Sequence, residues 1–207
     1  MILTKPGLTF DPEQHRYTLD GGQEIPGVTQ VLKDMGLYKP PSQAQQYHKA
    51  RGGAIHDGTA AVDAHEWDKS KTSPIIIPYI EAYERFTLDL GFHATHVERA
   101  VYSQRYMVAG TLDRIGRITN PASRDYGKII LVDIKSGDPA ASVEIQMALY
   151  RFMALECLGV KVDACWALWL KLTGQYKIER STDPSALQLG LSAVSLWHWR
   201  RNHGLLG

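Results

Sequence analysis

The most informative hydrophobic pattern in the chain is the nearly unbroken aliphatic run Lys128-Ile-Ile-Leu-Val-Asp-Ile-Lys-Ser-Gly, which predicts a strand buried on both faces. Because successive side chains of a strand alternate between its faces, Asp133 and Lys135 share one face with Ile129 and Leu131. A buried ionised group is costly unless a partner or a metal compensates its charge. We therefore expect this strand to end at a polar site.

A second acidic residue interrupts the apolar pattern of the preceding strand. That strand is predicted over residues 106–118, contains Asp113, and is joined to the central strand by the turn-rich segment 120–127. A turn of this length predicts antiparallel neighbours. Two carboxylates and one lysine would then meet at one place in the sheet.

The remaining periodicity predicts an α/β protein with a mixed central sheet, because helical and strand-like segments alternate along the chain. Asp138-Pro139 and Asp183-Pro184 each predict a helix start, with Asp as the N-cap and Pro as the first helical residue. A pair of glycines inside a predicted helix indicates an interruption and close approach to another element or a ligand. The first predicted elements are a hairpin over 1–26, a helix over 28–35 that stops at Gly36, and a helix over 42–67 that follows Pro40-Pro41 and is interrupted at Arg51-Gly52-Gly53. A helix over 78–90 and strands over 93–103, 106–118 and from 128 follow. The last elements are a helix from Asp138-Pro139 to Leu158, strands over 164–173 and 175–180, and a helix from Asp183-Pro184.

Composition narrows the classes of protein to which the chain can belong. Its 207 residues suit a single domain, and 23 basic against 22 acidic residues exclude a generally basic surface, so any nucleic-acid contact must come from a local patch. The two cysteines, Cys157 and Cys165, form no CxxC pair and are expected to be reduced core thiols. No leader-like or bilayer-spanning segment is apparent, and we therefore expect a cytoplasmic protein without a membrane partner.

The polar residues of the central strands suit metal-assisted hydrolysis of a phosphodiester. Asp113 and Asp133 offer hard oxygen ligands for Mg²⁺ or Mn²⁺, and Lys135 can hold water or stabilise negative charge at phosphorus. Gln146 lies within the apolar stripe of the next helix, with Tyr150 one turn further on. Because a buried amide needs partners, Gln146 is expected to point back at the site.

These residues resemble, in order and spacing, the motifs of RecB-type PD-(D/E)XK nucleases. Gly110-Thr-Leu-Asp113, Asp133-Ile-Lys135 and Gln146-xxx-Tyr150 resemble motif II, motif III and the Gln-xxx-Tyr helix of that family. Arg51-Gly-Gly-Ala-Ile-His56 resembles its upstream helical histidine motif. Ile25-Pro-Gly-Val-Thr-Gln-Val-Leu resembles the entry segment of the phage-encoded and mitochondrial single-strand exonucleases in the group.

The resemblance covers most of residues 10–155 and implies a restriction-endonuclease-like core with an N-terminal hairpin and a helical elaboration. The chain would be one nuclease domain, with a hairpin and helical part over 1–90 that carries His56, a catalytic sheet over 91–180 and a C-terminal helix over 181–207. The implied activity is that of a Mg²⁺- or Mn²⁺-dependent DNA exonuclease, phage-associated, acting on single strands or duplex ends in recombination, repair or replication. A recombination protein would be a fitting partner, and the oligomeric state is left open.

The resemblance also implies roles for individual residues. The implied metal ligands are His56, Asp113, Asp133 and the carbonyl of Ile134, with Glu98 as an accessory acid; Lys135 would be catalytic, and Gln146 and Tyr150 would contact the site or the DNA. Asp133 stands where many relatives have Glu, a tolerated variant. The four cluster-binding cysteines of some relatives are missing, so no iron–sulfur cluster is expected. Basic residues near the motifs are candidate phosphate contacts: Arg51, Arg99, Arg105, Arg114, Arg117, Arg124 and Lys128.

Plainer interpretations remain open for several of these residues. Asp133 and Lys135 would also suit a structural ion pair at a strand end, and Glu98 a pairing with Arg99 or Arg114. A histidine such as His56 is, taken alone, more often an ordinary hydrogen-bonded residue than a ligand. For the whole chain, the alternatives are a structure-specific endonuclease of the same fold and a catalytically inactive protein for DNA binding or assembly. Occupation of every expected catalytic position disfavours the inactive protein.

Overall fold

The N-terminal part of the chain is a small antiparallel sheet followed by three helices. We describe residues 7–12, 14–38, 45–137 and 140–206 from a computed structural model. The expected hairpin gains a third strand, because Gly21 and Gly22 both adopt positive φ and turn the chain back on itself. The elements are β1 (Leu8–Asp11), β2 (Arg16–Leu19), β3 (Gln23–Ile25), α1 (Val28–Asp34), α2 (Gln45–Asp63) and α3 (Ile77–Leu90), with a short 3-10 turn at Lys69–Lys71 between the last two.

Helix α2 is continuous through Gly52 and Gly53, so the predicted interruption is wrong. A Cβ at either glycine would meet nothing within 4 Å, and neither residue marks a close approach. The close approach lies at Gly58 instead, where a Cβ would overlap Cδ1 of Ile80 on α3. The absent side chain at Gly58 is therefore what lets α2 pack closely against α3.

A mixed five-stranded sheet follows, with its strands side by side in chain order. All neighbouring strands are antiparallel except β6 and β7, which are parallel and are connected by the crossover helix α4. The elements are β4 (Phe92–Ser103), β5 (Val108–Ile118), β6 (Ile129–Lys135), α4 (Ser142–Leu158), β7 (Ala164–Leu170), β8 (Tyr176–Arg180) and α5 (Ala186–Asn202).

Helices cover both faces of this sheet, and the alternation along β6 divides its side chains between two cores. Ile130 and Val132 pack with residues of α2 and α3, whereas Leu131 packs with residues of α1, α4 and α5. Both cysteines are buried and free, as predicted. The α/β class, the mixed sheet with flanking helices and the antiparallel N-terminal element are all confirmed.

Both predicted helix starts differ from the structure, and helix α4 has Ala141 rather than Asp138 as its N-cap. Helix α5 has Ser185 as its N-cap, and Oδ1 of Asp183 accepts the backbone N–H of Ser185 at 2.8 Å, so Asp183 stabilises the turn before the helix. The other predicted signals, Asp138-Pro139 and Pro40-Pro41, lie outside the described residues. Among the residues that are described, no helix is both long and apolar enough to cross a membrane.

Candidate metal centre and active site

The register of β4 and β5 brings two acidic residues opposite each other. Val97 pairs with Arg114 and Arg99 with Leu112, which leaves Glu98 and Asp113 facing each other between these pairs. Glu98 has a φ of 43°, a left-handed conformation that is costly for a residue with a Cβ. The surrounding contacts must hold this carboxylate in place, and strain of this kind concentrates at functional sites.

Helix α2 places an imidazole between these two carboxylates. Nδ1 of His56 lies 3.0 Å from Oε1 of Glu98 and 3.6 Å from Oδ1 of Asp113. His56, Glu98 and Asp113 each offer one ligand atom, and these three atoms lie within 4.8 Å of one another. Among the described residues, this is the one such group of possible metal ligands. One imidazole nitrogen and two carboxylate oxygens are a donor set that suits Mn²⁺ or Mg²⁺, so the residues present fit a divalent cation.

The electrostatics of this group favour a positive charge at its centre. The Asp113 carboxylate raises the pKa of His56 to about 9. Burial raises the pKa of Asp113 to about 6, because the loss of hydration outweighs the attraction of the His56 imidazolium. Burial would also raise the pKa of Glu98, but its hydrogen bond with His56 and the charges of His56 and Arg114 hold that pKa below its usual value. At neutral pH the protonated imidazole of His56 therefore supplies positive charge between the carboxylates, and a bound metal ion would supply that charge in its place.

Asp133 and Lys135 form an ion pair beside this group. Asp133 is only 1% exposed, and its Oδ2 lies 2.7 Å from Nζ of Lys135. That oxygen otherwise receives no hydrogen bond from the described residues, which leaves it able to bind a cation. Burial lowers the pKa of Lys135, but the carboxylates of Asp133 and Asp113 raise it by more, so the ammonium stays charged. The backbone N–H of Ile134 donates to Oδ2 of Asp113 at 2.6 Å and ties β5 to β6.

Gln146 points at the site, as its place in an apolar stripe suggests. Its Oε1 accepts from Nζ of Lys135 at 3.3 Å, and its Nε2 donates to the hydroxyl of Tyr150 at 3.0 Å and to Oγ1 of Thr29 at 3.4 Å. Burial raises the pKa of Tyr150 well above its usual value, so the hydroxyl stays neutral. A Cβ at Gly110 would overlap the Tyr150 ring, which explains why the Gly-Thr-Leu-Asp motif begins with glycine.

The structure thus brings most of the predicted site residues to one place. His56, Glu98 and Asp113 form the tight group, while Asp133 stands next to it as the partner of Lys135 and is not one of its three members. Glu98 also pairs with Arg114, so both interpretations offered for it apply. Ile134 touches Asp113 through its N–H, and a ligand role for its carbonyl stays a prediction.

One of the predicted phosphate contacts is wrong. Arg114 has no exposed surface and forms ion pairs with Asp63 at 2.5 Å and Glu98 at 2.7 Å, so it cannot reach a DNA backbone. The pairing with Glu98 is one of the predicted alternatives, but no local pattern indicates the pairing with Asp63, because that residue lies on the distant helix α2.

The other basic residues lie at different distances from the site. Arg117 pairs with Ile129 at the start of β6, six residues and about 20 Å from Lys135 along that strand. Arg124 and Lys128 contact Asp125 in the loop before β6, at the same far end. Three others are placed elsewhere: Arg51 donates to the carbonyl of Ser136 next to the site, Arg105 lies over the Tyr106 ring in the β4–β5 turn, and Arg99 is half-buried on β4.

Comparisons with known proteins give distant structural similarities. No family model and no curated protein sequence matches the chain. A crystal structure of an alkaline exonuclease from Laribacter hongkongensis is 15% identical, covers 86% of this chain and 88% of its own, and has a TM-score of 0.47. The same exonuclease in complex with dAMP is 14% identical over 88% and 95%, with a TM-score of 0.44. A protein from Eubacterium rectale assigned as an exonuclease is 10% identical over 90% and 77%, with a TM-score of 0.42.

The fold itself brings residues that are far apart in the sequence to one site. The sheet carries the motif residues Asp113, Asp133 and Lys135, and helices α2 and α4 bring His56 and Gln146 to the same place. The observed fold and the meeting of these residues are those that the motif resemblance predicts.

Proposed function

We propose that this protein is a metal-dependent nuclease that hydrolyses phosphodiester bonds in DNA and acts as an exonuclease. The observation that carries the proposal is the group formed by His56, Glu98 and Asp113, together with the charged Lys135 ammonium and Asp133 next to it. A lone ion pair at a strand end would not need the imidazole or the strained glutamate. Both are explained by a site that holds a divalent cation.

The three members of the group are the residues that would hold the metal, and Asp133 and the Ile134 carbonyl are further candidates. A divalent ion bound there would activate water and neutralise charge that develops on the phosphate. Its binding requires His56 to lose the proton on Nδ1, since that nitrogen faces both carboxylates. Two of the three donor residues are carboxylates, which favours Mg²⁺ or Mn²⁺ over softer metals.

Lys135 is the residue that we expect to act on the substrate. Its ammonium is held by Asp133 on one side and by Gln146 on the other, so it needs little reorganisation when charge grows on the phosphate. A quarter of the Lys135 side chain is exposed, so the ammonium is accessible. Arg51 is half-buried and donates to the carbonyl of Ser136 immediately after β6, so it is a candidate phosphate contact next to Lys135.

Cleavage of end-labelled linear DNA tests the proposal directly. Purified protein with Mn²⁺ or Mg²⁺ should shorten labelled single- or double-stranded DNA, and excess EDTA should stop the reaction. Lys135→Ala should bind the metal but leave the DNA intact. The proposal fails if the folded wild-type protein binds Mn²⁺ and still leaves every linear substrate uncut.

A closed single-stranded circle separates exonuclease from endonuclease action. An exonuclease requires a free end, so the circle should survive conditions in which the same sequence is degraded as a linear strand. Cutting of the circle would replace the exonuclease assignment with an endonuclease of the same fold and leave the metal site unaffected.

A further inference from the structure

Arg114 makes an unusually complete set of contacts for a buried cation. Its Nε donates to Oδ2 of Asp63, and its Nη1 donates to Oε1 of Glu98 at 2.7 Å and to the carbonyl of Asp113 at 2.7 Å. Its Nη2 donates to Oγ1 of Thr59 at 2.9 Å. The guanidinium therefore contacts two of the candidate metal ligands as well as helix α2.

The two contacts on α2 lie on the face of the helix that carries His56. Residues 56, 59 and 63 follow one another at helical spacing of three and four, so their side chains share one side of α2. The hydroxyl of Thr59 also donates to the carbonyl of His56 at 3.0 Å. Because the Arg114 guanidinium is hydrogen-bonded to Thr59 and Asp63, it fixes the position of the His56 imidazole relative to β5.

The contact with Glu98 fixes the second ligand. Oε1 of Glu98 accepts from both Arg114 and His56, and this pair of contacts holds a residue whose backbone is in the left-handed region. Tyr83 supports the arrangement from α3, because its hydroxyl donates to Asp63 and its ring lies 5.7 Å from the guanidinium carbon.

We propose that Arg114 is a positioning residue of the metal site, acting through Glu98 and α2 to hold the Glu98 carboxylate and the His56 imidazole where a divalent cation can bind both. This inference rests on the proposed metal site. Arginine suits the task because its planar guanidinium stays charged and offers donors in fixed directions, which a lysine ammonium cannot reproduce. The charge also offsets the cost of burying several carboxylates together.

Metal binding measured in the absence of DNA tests this role. Calorimetric titration with Mn²⁺ and the electron paramagnetic resonance spectrum of the bound ion should be compared between wild type and Arg114→Lys. We expect the lysine variant to bind Mn²⁺ about 10- to 100-fold more weakly, the usual cost of losing a group that orients a metal ligand. Arg85→Lys, at an exposed arginine on α3 that has no assigned role, is the control and should bind like wild type.

A double-mutant cycle with Glu98→Gln distinguishes positioning from general damage to the fold. If Arg114 acts largely through Glu98, Arg114→Lys should cost less Mn²⁺ affinity in the Glu98→Gln background than in wild type. If Arg114→Lys lowered the Mn²⁺ affinity by the same factor in both backgrounds, the proposal would be overturned. A folded Arg114→Lys variant with wild-type Mn²⁺ affinity would overturn it as well.

A second variant, Thr59→Val, and the wild-type titration cover the cases in which Arg114→Lys is uninformative. Should Arg114→Lys fail to fold, Thr59→Val removes the Nη2 contact together with the bond from the Thr59 hydroxyl to the His56 carbonyl. It should still weaken Mn²⁺ binding by about threefold or more, within the worth of one hydrogen bond to a charged group. Unchanged affinity in Thr59→Val would then refute the positioning role. If wild type itself bound no Mn²⁺, the proposed metal site would be refuted, a result that is distinct from failure of the role of Arg114.

Discussion

The ring of Tyr150 packs against the backbone of Gly110 so closely that a Cβ at residue 110 would overlap the ring. This contact joins β5 to α4 three residues before Asp113. Tyr150 in turn accepts a hydrogen bond from Gln146, which accepts one from Lys135. The packing of a glycine thus helps to determine where the ammonium lies.

Gly110→Ala should damage both stability and cleavage. Forcing a methyl group into this contact should cost about 1–3 kcal/mol in the free energy of unfolding, and displacement of Tyr150 should slow DNA cleavage through Gln146 and Lys135. Gly53→Ala is the control, because its Cβ would meet open space and should leave stability unchanged or raise it by about 0.5–1 kcal/mol. Urea unfolding and initial cleavage rates measure the two effects; equal behaviour of the variants would contradict the prediction.

Asp113→Asn should strongly reduce DNA cleavage while leaving the protein nearly as stable as wild type. Because burial raises the pKa of Asp113 to about 6, above its unfolded value of about 3.8, the ionised carboxylate opposes folding at pH 8. The amide removes that penalty and can still accept the N–H of Ile134, so the free energy of unfolding should not fall by more than about 1 kcal/mol. Cleavage should drop by more than about a hundredfold, since a metal ligand stabilises the transition state by several kcal/mol. Cleavage within tenfold of wild type would exclude Asp113 as a ligand.

Mn²⁺ should stabilise the folded protein through His56. An ion that binds only the native state at a hundred times its Kd adds about 2.7 kcal/mol, which is visible as a rise in Tm. His56→Ala should lose most of this rise, whereas His93→Ala, an exposed histidine on β4, should retain it. Differential scanning fluorimetry with and without Mn²⁺ makes the measurement. An equal rise in both variants would show that the ion binds elsewhere.

The metal-free protein should lose stability as the pH rises through about 9. The pKa of His56 is raised from its unfolded value of about 6.5 to about 9, chiefly by Asp113. The contribution of the imidazolium to the free energy of unfolding is therefore complete below pH 6.5 and is lost as His56 releases its proton in the folded state. His56→Gln should remove this part of the pH dependence. Urea unfolding in EDTA between pH 6 and 10 measures this effect. If the free energy of unfolding depended on pH in the same way in wild type and variant, the ion pair between His56 and Asp113 would be contradicted.

The parts of the site that the sequence reveals are those with a local pattern. Asp133 and Lys135 are conspicuous because they interrupt an aliphatic strand at a spacing of two, and Gln146 because it interrupts a helical apolar stripe. The mixed sheet follows from the order of helical and strand-like segments, and the structure has it. Periodicity therefore locates strand-borne and helix-borne polar groups well.

Arg114 and the glycines show where local pattern fails. An arginine next to an aspartate on a strand is normally a surface residue, and only the fold brings Asp63, 51 residues away, to its guanidinium. Likewise, Gly52 and Gly53 look like packing glycines in sequence, but the close contact on α2 is at Gly58, because α3 crosses there. Both outcomes depend on contacts between distant elements, which no window of sequence contains.

The candidate site has no local precursor in the chain. Its side chains come from α2, β4, β5, β6 and α4, so that no single segment can present them together. A ribosome-bound chain that ends before Tyr150 lacks part of the support for Lys135, whatever its first half has already formed. Any capacity to cut nucleic acid would consequently arise late, when the crossover helix α4 packs on the sheet.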